Sequence, residues 1–444
     1  MNTSAVKRFF KAIVAAVIVL TAAACAEDRS KILKVYNWGD YIDEELIPEF
    51  EKWYFEQTGE EVHIIYQTFD INETMLSKIE KGHEDYDVVC PSDYIIERML
   101  RKGLLLPIGR DFGDTPNHID SNIAPFIREM IGEMESDGKD VNDYAVPYMW
   151  GTTGILYNTK HVDEEDTHTW DILRNDKYSN KIFVKDAAND VFGPILMYLK
   201  RDLIRTGEIT FKDVASDFSD ESLAAVEEYM NEVRKHIAGW EADFGKEQMT
   251  QERGYVNFTW SGDAVWAIEE AKEVGVSLEF TVPDEGSCVW FDGWVIPKYA
   301  GNPKAARYFI DFLCIPENAI RNMDVIGYVS AIATPDILEK MEDEEEYEET
   351  VDVSYFFGKD AYAEHLNPTQ YPDKSVIERC TVMYDWGDRM PELVAMWARV
   401  KGNRLNWWTI FVISVTILGI TAGRVAKHIR KKSRRTHTRL PVHF

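Results

Sequence analysis

Basic residues are scarce in this 444-residue sequence, which has 49 Lys and Arg against 77 Asp and Glu and a formal charge of −28. A nucleic-acid-binding protein needs a basic surface to meet phosphates, so the deficit argues against DNA or RNA as a partner. An acidic body attracts cations at long range. Aromatic residues reach 12%, including 13 Trp, and aromatic rings beside carboxylates suit an organic cation. The composition therefore favours a cationic partner without naming it.

Cysteine is also scarce, and the usual catalytic signatures are missing. The five cysteines form no C-x-x-C pair and no His/Cys pair at zinc spacing. The sequence has no G-x-S-x-G, P-loop Lys, H-E-x-x-H or G-x-G-x-x-G. We therefore expect no catalytic residue, no cofactor and no metal. Cys90, Cys288, Cys314 and Cys380 fit either extracytoplasmic disulfides or buried free thiols.

The first 25 residues predict a secretory signal peptide. Basic residues near the start precede an apolar run over 12–20 and the small residues 21–24, which is too short a pattern for a spanning helix. The small residues end at Cys25, which favours a lipoprotein with a lipid on that cysteine. Ordinary cleavage after an Ala-x-Ala is the alternative. Either way the pattern predicts export.

Residues 407–423 predict a transmembrane helix at the short limit for crossing a bilayer. Trp407 and Trp408 stand where an interfacial aromatic belt would stand, and 424–444 is a basic tail. The positive-inside rule places that tail in the cytoplasm and the acidic body outside. A buried core helix is the alternative.

Between the two ends, strand and helix patterns alternate, as in a parallel sheet covered by helices. We predict strands over 32–36, 61–67, 86–90, 278–282 and 294–297, and helices over 44–58, 72–81, 94–102, 191–206, 222–236, 263–274 and 305–313. Two α/β stretches without a linker predict two lobes around a ligand cleft. The acidic run 336–352 lacks the glycine of a calcium loop and predicts a solvated segment.

Six short motifs in order resemble the bacterial spermidine/putrescine-binding proteins, the substrate receptors of polyamine ABC transporters. The resemblance covers about residues 33–400. The motifs are YNWGDY at 36–41, NETM at 72–75, YDVVCPSDY at 86–94, WSGD at 260–263, WFD at 290–292 and IGY at 326–328.

The resemblance implies a type II periplasmic-binding-protein fold, an α/β fold of two lobes with the ligand in the cleft between them. Lobe 1 would comprise 26–145 with 290–330, and lobe 2 would comprise 146–289 with 331–400. The implied partners are a polyamine and the ABC permease subunits of the inner membrane, and we expect a monomer. Together with the two ends, this predicts a periplasmic domain anchored to the inner membrane, with the 424–444 tail in the cytoplasm.

The resemblance also implies the binding residues, carried over position by position. A polyamine needs carboxylates for its ammonium groups and aromatic walls for its methylenes. The implied ligand-binding residues are the aromatic walls Trp38, Trp260, Trp290 and Tyr328, the polar contacts Gly39, Tyr41, Ser92 and Tyr94, and the carboxylates Asp190, Asp263 and Asp292.

Several of these residues have structural alternatives. Asp263 and Ser92 could cap the helices that follow them, and Asp190 could favour a helix N-terminus. Trp260 and Trp290 could belong to the core, but each has an Asp two or three residues on, which a buried strand would avoid.

Two departures from the family pattern bear on the ligand. Ala187 stands where some members have a second carboxylate, and Met383 stands near the Gln of some spermidine binders. We therefore expect putrescine to bind at least as well as spermidine. Two other functions compete with import: a membrane-anchored polyamine sensor that acts through a partner, and an extracytoplasmic hydrolase that uses carboxylates.

Overall fold

A computed structural model of the protein describes residues 28–134, 138–242 and 244–402. Its strands are β1 Ile32–Trp38, β2 His63–Phe69, β3 Val88–Val89, β4 Leu105–Leu106, β5 Ala145–Asn158, β6 Ile182–Lys185, β7 Ile237–Glu241, β8 Val256–Trp260, β9 Leu278–Thr281, β10 Ser287–Pro297, β11 Val329–Ser330 and β12 Cys380–Thr381. Its α-helices are Leu46–Thr58, Asn72–Glu80, Asp93–Arg101, His118–Asn122, Pro125–Gly132, Glu164–Thr167, Ala188–Leu199, Arg201–Thr206, Phe211–Ala215, Asp220–Val233, Gly245–Thr250, Ser261–Glu273, Pro303–Leu313, Pro316–Ile326, Pro335–Met341, Ser354–Phe357, Lys374–Ile377 and Met390–Lys401.

The strands form one continuous sheet in the order β2-β1-β3-β10-β5-β8-β6-β7. β1 runs parallel to β2 and β3 at one end, and β6 runs parallel to β7 and β8 at the other. The long antiparallel pair β5 and β10 joins the two parallel groups, and every residue in both strands is buried. The predicted α/β class is confirmed, with the two parallel groups on either side of one central pair.

The predicted helices and strands are found in the expected order. The first helix shows why: Leu46, Phe50 and Tyr54 recur every four residues and form its buried face. The helix ends at Gly59, which has a left-handed φ of 70° that glycine adopts without strain. The predicted helix over 191–206 is divided into Ala188–Leu199 and Arg201–Thr206. The predicted strand 294–297 is longer and starts at Ser287.

The chain after the predicted lobe boundary at 331 packs on helices of both predicted lobes. The helix Ser354–Phe357 packs on the helix Pro125–Gly132, which belongs to predicted lobe 1. The ring centroids of Tyr355 and Phe126 are 5.1 Å apart at this contact. Met390–Lys401 packs on Asp220–Val233 of predicted lobe 2, as expected. The predicted segment 331–400 is therefore divided between the two halves of the sheet.

The structure describes the residues of some remaining predictions but not of others. Cys90, Cys288, Cys314 and Cys380 are free thiols, and the first three are buried. Most of the acidic segment after Met341 is solvent-exposed as far as residue 350, as predicted. The predicted signal peptide with Cys25, the predicted helix over 407–423 and the tail 424–444 lie outside the described residues. Among the residues that are described, no helix has both the length and the apolar character to cross a membrane.

Candidate functional site

The candidate site centres on Asp292, a carboxylate that is only 7% exposed. The Tyr41 hydroxyl donates to its Oδ2 at 2.9 Å, and the Ser92 hydroxyl donates to its Oδ1 at 2.7 Å. Both donors are neutral, and no described residue forms an ion pair with Asp292. A buried carboxylate is normally paired with a cation. The arrangement therefore leaves a negative charge for a ligand to neutralise.

A bulge in the sheet directs the Asp292 side chain toward Tyr41 and Ser92. Its strand, β10, has a register shift between Asp292 and Gly293 in the ladder with β5, which marks a bulge. A single bridge joins Asp292 to Ser92, and the Gly293 amide donates to the Pro91 carbonyl at 3.0 Å. The expectation that a buried strand avoids such an Asp is wrong here, because the bulge and the two hydroxyl donors accommodate the carboxylate.

Trp290 and Tyr328 form an aromatic surface beside Asp292. Trp290 and Asp292 are two residues apart in β10, so their side chains tend toward the same face of the sheet. The Tyr328 ring lies 5.6 Å from that of Trp290 and 5.5 Å from that of Tyr41. Glycines permit this packing: a Cβ at Gly151 would lie 2.9 Å from the Trp290 ring, and one at Gly262 would lie 2.4 Å from the Tyr328 ring.

Asp190 is a second carboxylate without an ion pair among the described residues. It lies in the first turn of Ala188–Leu199, and its Oδ1 accepts a hydrogen bond from the Trp260 indole at 2.7 Å. Asp190 therefore does more than favour the helix N-terminus. The indole of Trp260 therefore lies against the Asp190 carboxylate.

Asp263 lies in a different environment from the other two predicted carboxylates. The Lys185 ammonium donates to its Oδ2 at 2.5 Å, and the Tyr328 hydroxyl donates to its Oδ1 at 3.0 Å. Glu241 is the second acidic partner of Lys185, at 3.3 Å. Asp263 does not cap its helix, whose N-cap is Trp260. Its charge is already balanced by the protein, so it is not available to a ligand in the way that Asp292 is.

Asn72 connects the predicted polar contacts Ser92 and Tyr94. Its side-chain amide donates to the Ser92 hydroxyl at 3.0 Å and to the Tyr94 hydroxyl at 3.2 Å. Tyr94 in turn donates to Glu73 at 3.2 Å. Ser92 is the N-cap residue of Asp93–Arg101, but its side chain makes no capping bond and turns to Asp292 instead. Asn72 and Glu73 belong to the NETM motif, but the sequence analysis assigns them no role beside Ser92 and Tyr94.

Trp38 and Gly39 lie further from this group. Trp38 ends β1, and its ring packs on Phe69 at a centroid distance of 4.5 Å. Gly39 is exposed, with open space where a Cβ would stand. The structure therefore places them at the carboxyl end of β1, two to three residues before Tyr41.

Burial and like charge shape the titration of the carboxylates. Burial raises the pKa of Asp292 to about 7, opposed by the Ser92 and Tyr41 hydrogen bonds and assisted by the negative charge of Asp190. Burial raises the pKa of Asp190 to about 6, opposed by the Trp260 hydrogen bond. Such shifts are typical of functional sites. A bound cation would favour the ionised form of both groups.

Asp93 is a third buried acid near this pair. It is fully buried, one of its oxygens has no hydrogen-bond partner, and burial holds its pKa well above the usual range. The charges of Asp292 and Asp190 add to that shift. Burial therefore favours the neutral form of Asp93, and sequence analysis missed this residue because its burial depends on the packing of the helix that it begins.

A separate surface groove of about 1390 Å³ contains none of the predicted site residues. It is lined by both signs of charge, among them Glu164, Arg201, Arg205 and Glu285. It offers no concentration of aromatic walls and unpaired carboxylates comparable to that around Asp292. We therefore take the Asp292 region as the candidate site.

Comparisons with known proteins find related sequences over most of the chain. The sequence profile described as bacterial extracellular solute-binding protein matches residues 45–352. The putrescine-binding periplasmic protein of Escherichia coli (strain K12) is 28% identical over 343 residues, covering 74% of this chain and 86% of that protein. The spermidine/putrescine-binding periplasmic protein of Salmonella typhimurium is 29% identical over 309 residues, covering 69% and 79%.

Solved structures give the same match at the level of the fold. A spermidine/putrescine ABC transporter substrate-binding protein of Streptococcus pneumoniae superposes with a TM-score of 0.61 and 29% identity, covering 84% of this chain and all of that one.

Proposed function

The chain belongs to the family of bacterial extracellular solute-binding proteins, and from this premise we propose that it binds a polyamine for an ABC import system. It would hold the cationic ligand in the cleft and release it to permease subunits, without catalysis. The names of its relatives support a polyamine, since several are putrescine- or spermidine/putrescine-binding proteins.

The observation that carries this proposal is the environment of Asp292. A buried carboxylate with two neutral hydroxyl donors and an aromatic surface lacks only a cation. An ammonium supplies the charge and up to three donors. An aliphatic chain attached to it would cover Trp290 and Tyr328, and their ring faces would attract the cation.

A diamine also needs an anion for its second ammonium, and we propose Asp190. Its negative charge adds to the effect of burial in raising the pKa of Asp292, so the two carboxylates are close enough to interact. Trp260, which donates to Asp190, would form the wall at that end. Tyr41, Ser92 and Tyr94 would orient the first ammonium, while Trp38 and Gly39 would border the entrance.

The location and assembly of the protein are also part of the proposal. The sequence pattern supports export by the 1–25 signal peptide, with a lipid on Cys25, and anchoring by 407–423 with a cytoplasmic tail. The binding domain would then work as a monomer beside the permease in the inner membrane.

Isothermal titration calorimetry of the full-length protein in detergent tests the proposed function. We expect putrescine, cadaverine or spermidine to bind, and 1,4-butanediol not to bind, because the diol keeps the length of putrescine but lacks its charges. Equal binding of putrescine and the diol, or no binding of any polyamine, would refute it.

A further inference from the structure

The ammonium of Lys185 lies in a setting that resembles a binding site for an amine. Lys185 is 1% exposed, and its Nζ is 2.5 Å from Asp263 Oδ2 and 3.3 Å from Glu241 Oε1. The same atom is 4.0 Å from the centroid of the Trp260 ring. Two carboxylates and an indole face are the groups that recognise an alkylammonium. Here the protein supplies the ammonium itself.

This setting is assembled where three neighbouring strands end. Lys185, Glu241 and Trp260 are the last residues of β6, β7 and β8, and β6 is parallel to both neighbours. Asp263 follows in the first turn of the helix after β8. Carboxyl ends of parallel strands are where open α/β sheets bind ligands. The Lys185 group is therefore in a position where a ligand would be expected.

The Lys185 group is also continuous with the candidate site. Tyr328 donates to Asp263 at 3.0 Å, and its ring contacts those of Trp290 and Tyr41. Tyr41 completes the connection by donating to Asp292. Side chains in direct contact therefore link the two places.

Lys185 divides the nearby carboxylates into two kinds. Asp263 and Glu241 are paired with its ammonium, and these two partners outweigh burial and keep the pKa of Lys185 above its usual value. Asp292 and Asp190 have no ion pair among the described residues. Of these four acids, two are paired within the protein and two are unpaired, one for each end of a diamine.

We propose that Lys185 is a specificity-determining residue whose ammonium occupies a subsite that a third ligand ammonium would otherwise fill. This inference rests on the proposed function and deepens it. A triamine that extended toward Trp260 and Asp263 would meet a like charge that already holds both carboxylates. Discrimination built on such a repulsive element is a common route to specificity. Lys185 would therefore favour diamines over triamines.

The test compares putrescine and spermidine affinities of the full-length protein and its Lys185→Met variant by calorimetry. Removing the ammonium frees Glu241 and leaves Asp263 with only the longer ion pair to Lys246, at 3.8 Å. We expect the spermidine-to-putrescine affinity ratio to rise at least tenfold over wild type. A smaller rise in a variant that still binds putrescine would overturn the proposal.

Two further variants complete the test. One guards against loss of folding, and the other tests whether the charge of Lys185 is the cause. Lys185→Met combined with Glu241→Gln removes one acid together with the base, so the net charge of wild type is kept. This double variant replaces Lys185→Met in the test if the single variant fails to fold. The same tenfold rise is expected and the same criterion applies. Lys185→Arg keeps the charge, and a rise in the ratio as large as with Met would show that the charge is not the cause, which would also overturn the proposal.

Lys200→Met is the matched control, since Lys200 pairs with Asp217 outside the candidate site. It should leave the ratio within threefold of wild type, and a change equal to that of Lys185→Met would refute a specific role for Lys185. Failure of the proposed function is distinguishable: the wild-type protein would then bind neither amine. If the wild-type protein binds but the ratio does not move, only the role of Lys185 fails.

Discussion

Replacing Asp292 by Asn should abolish tight ligand binding without harming the ligand-free fold. The change removes one charge and keeps the size of a side chain that contacts Tyr41 and Ser92. Removing one partner of a buried charge pair typically costs 2–5 kcal/mol of binding. Since each 1.4 kcal/mol is about a tenfold change, we expect the affinity to fall roughly 30-fold to several thousand-fold.

The ligand-free stability should respond in the opposite direction. Burial raises the pKa of Asp292 from 3.8 to about 7, so the folded state disfavours the ionised form. At pH 8 that ionisation costs the fold on the order of 4 kcal/mol, which the Asn variant avoids. We therefore expect an equal or higher melting temperature for Asp292→Asn at pH 8, measured by calorimetry without ligand.

Asp311→Asn is a control that should show the reverse. Asp311 is fully buried and accepts backbone hydrogen bonds from His118 at 2.7 Å and Ile119 at 3.0 Å. Weakening these bonds should lower stability by about 1–3 kcal/mol and leave polyamine affinity unchanged. If Asp292→Asn binds within threefold of wild type, or if both variants only lose stability, the reasoning about Asp292 is refuted.

Three further predictions concern titration, an aromatic wall and topology. Because the pKa values of Asp292 and Asp190 are raised to about 7 and about 6, their contribution to folding stability falls as pH rises from about 4 to about 7. Ligand affinity should rise over the same pH range, because a cationic ligand binds the ionised carboxylates and its binding releases their protons below pH 7. Calorimetry showing equal affinity at pH 5.5 and 8 would contradict this. Trp290→Leu should weaken binding by about 0.5–2 kcal/mol through loss of the ring face. Trp397→Leu removes a ring that packs edge-on against Trp240 and should lower only the melting temperature; equal affinity losses would argue against an aromatic wall. A cysteine placed at Ser433 should not react with an impermeant thiol reagent in intact cells, and efficient labelling would refute a cytoplasmic tail.

The sequence was most informative where residues that act together are close along the chain. Trp290 and Asp292 are two residues apart on one strand, so period-two alternation predicts a shared face. The helix with Leu46, Phe50 and Tyr54 was predicted by the same kind of local periodicity. Such patterns depend on backbone geometry alone.

Residues whose role depends on distant partners could not be assigned in this way. Lys185 and Asp263 are 78 positions apart in the sequence, and only the pairing of β6 with β8 brings them together. The signal that could have found this pair is a Lys ending one predicted strand and a Trp-x-x-Asp ending another in the same sheet. Asp263 was accordingly predicted as a free anion, whereas the fold gives it a lysine partner.

The most direct measurement of the central claim is a crystal structure of the protein with putrescine. The account predicts one ammonium within about 3 Å of Asp292, the methylenes against Trp290 and Tyr328, and Lys185 still paired with Asp263. Putrescine bound elsewhere, such as in the groove by Arg201, or a ligand ammonium without contact to Asp292, would contradict it.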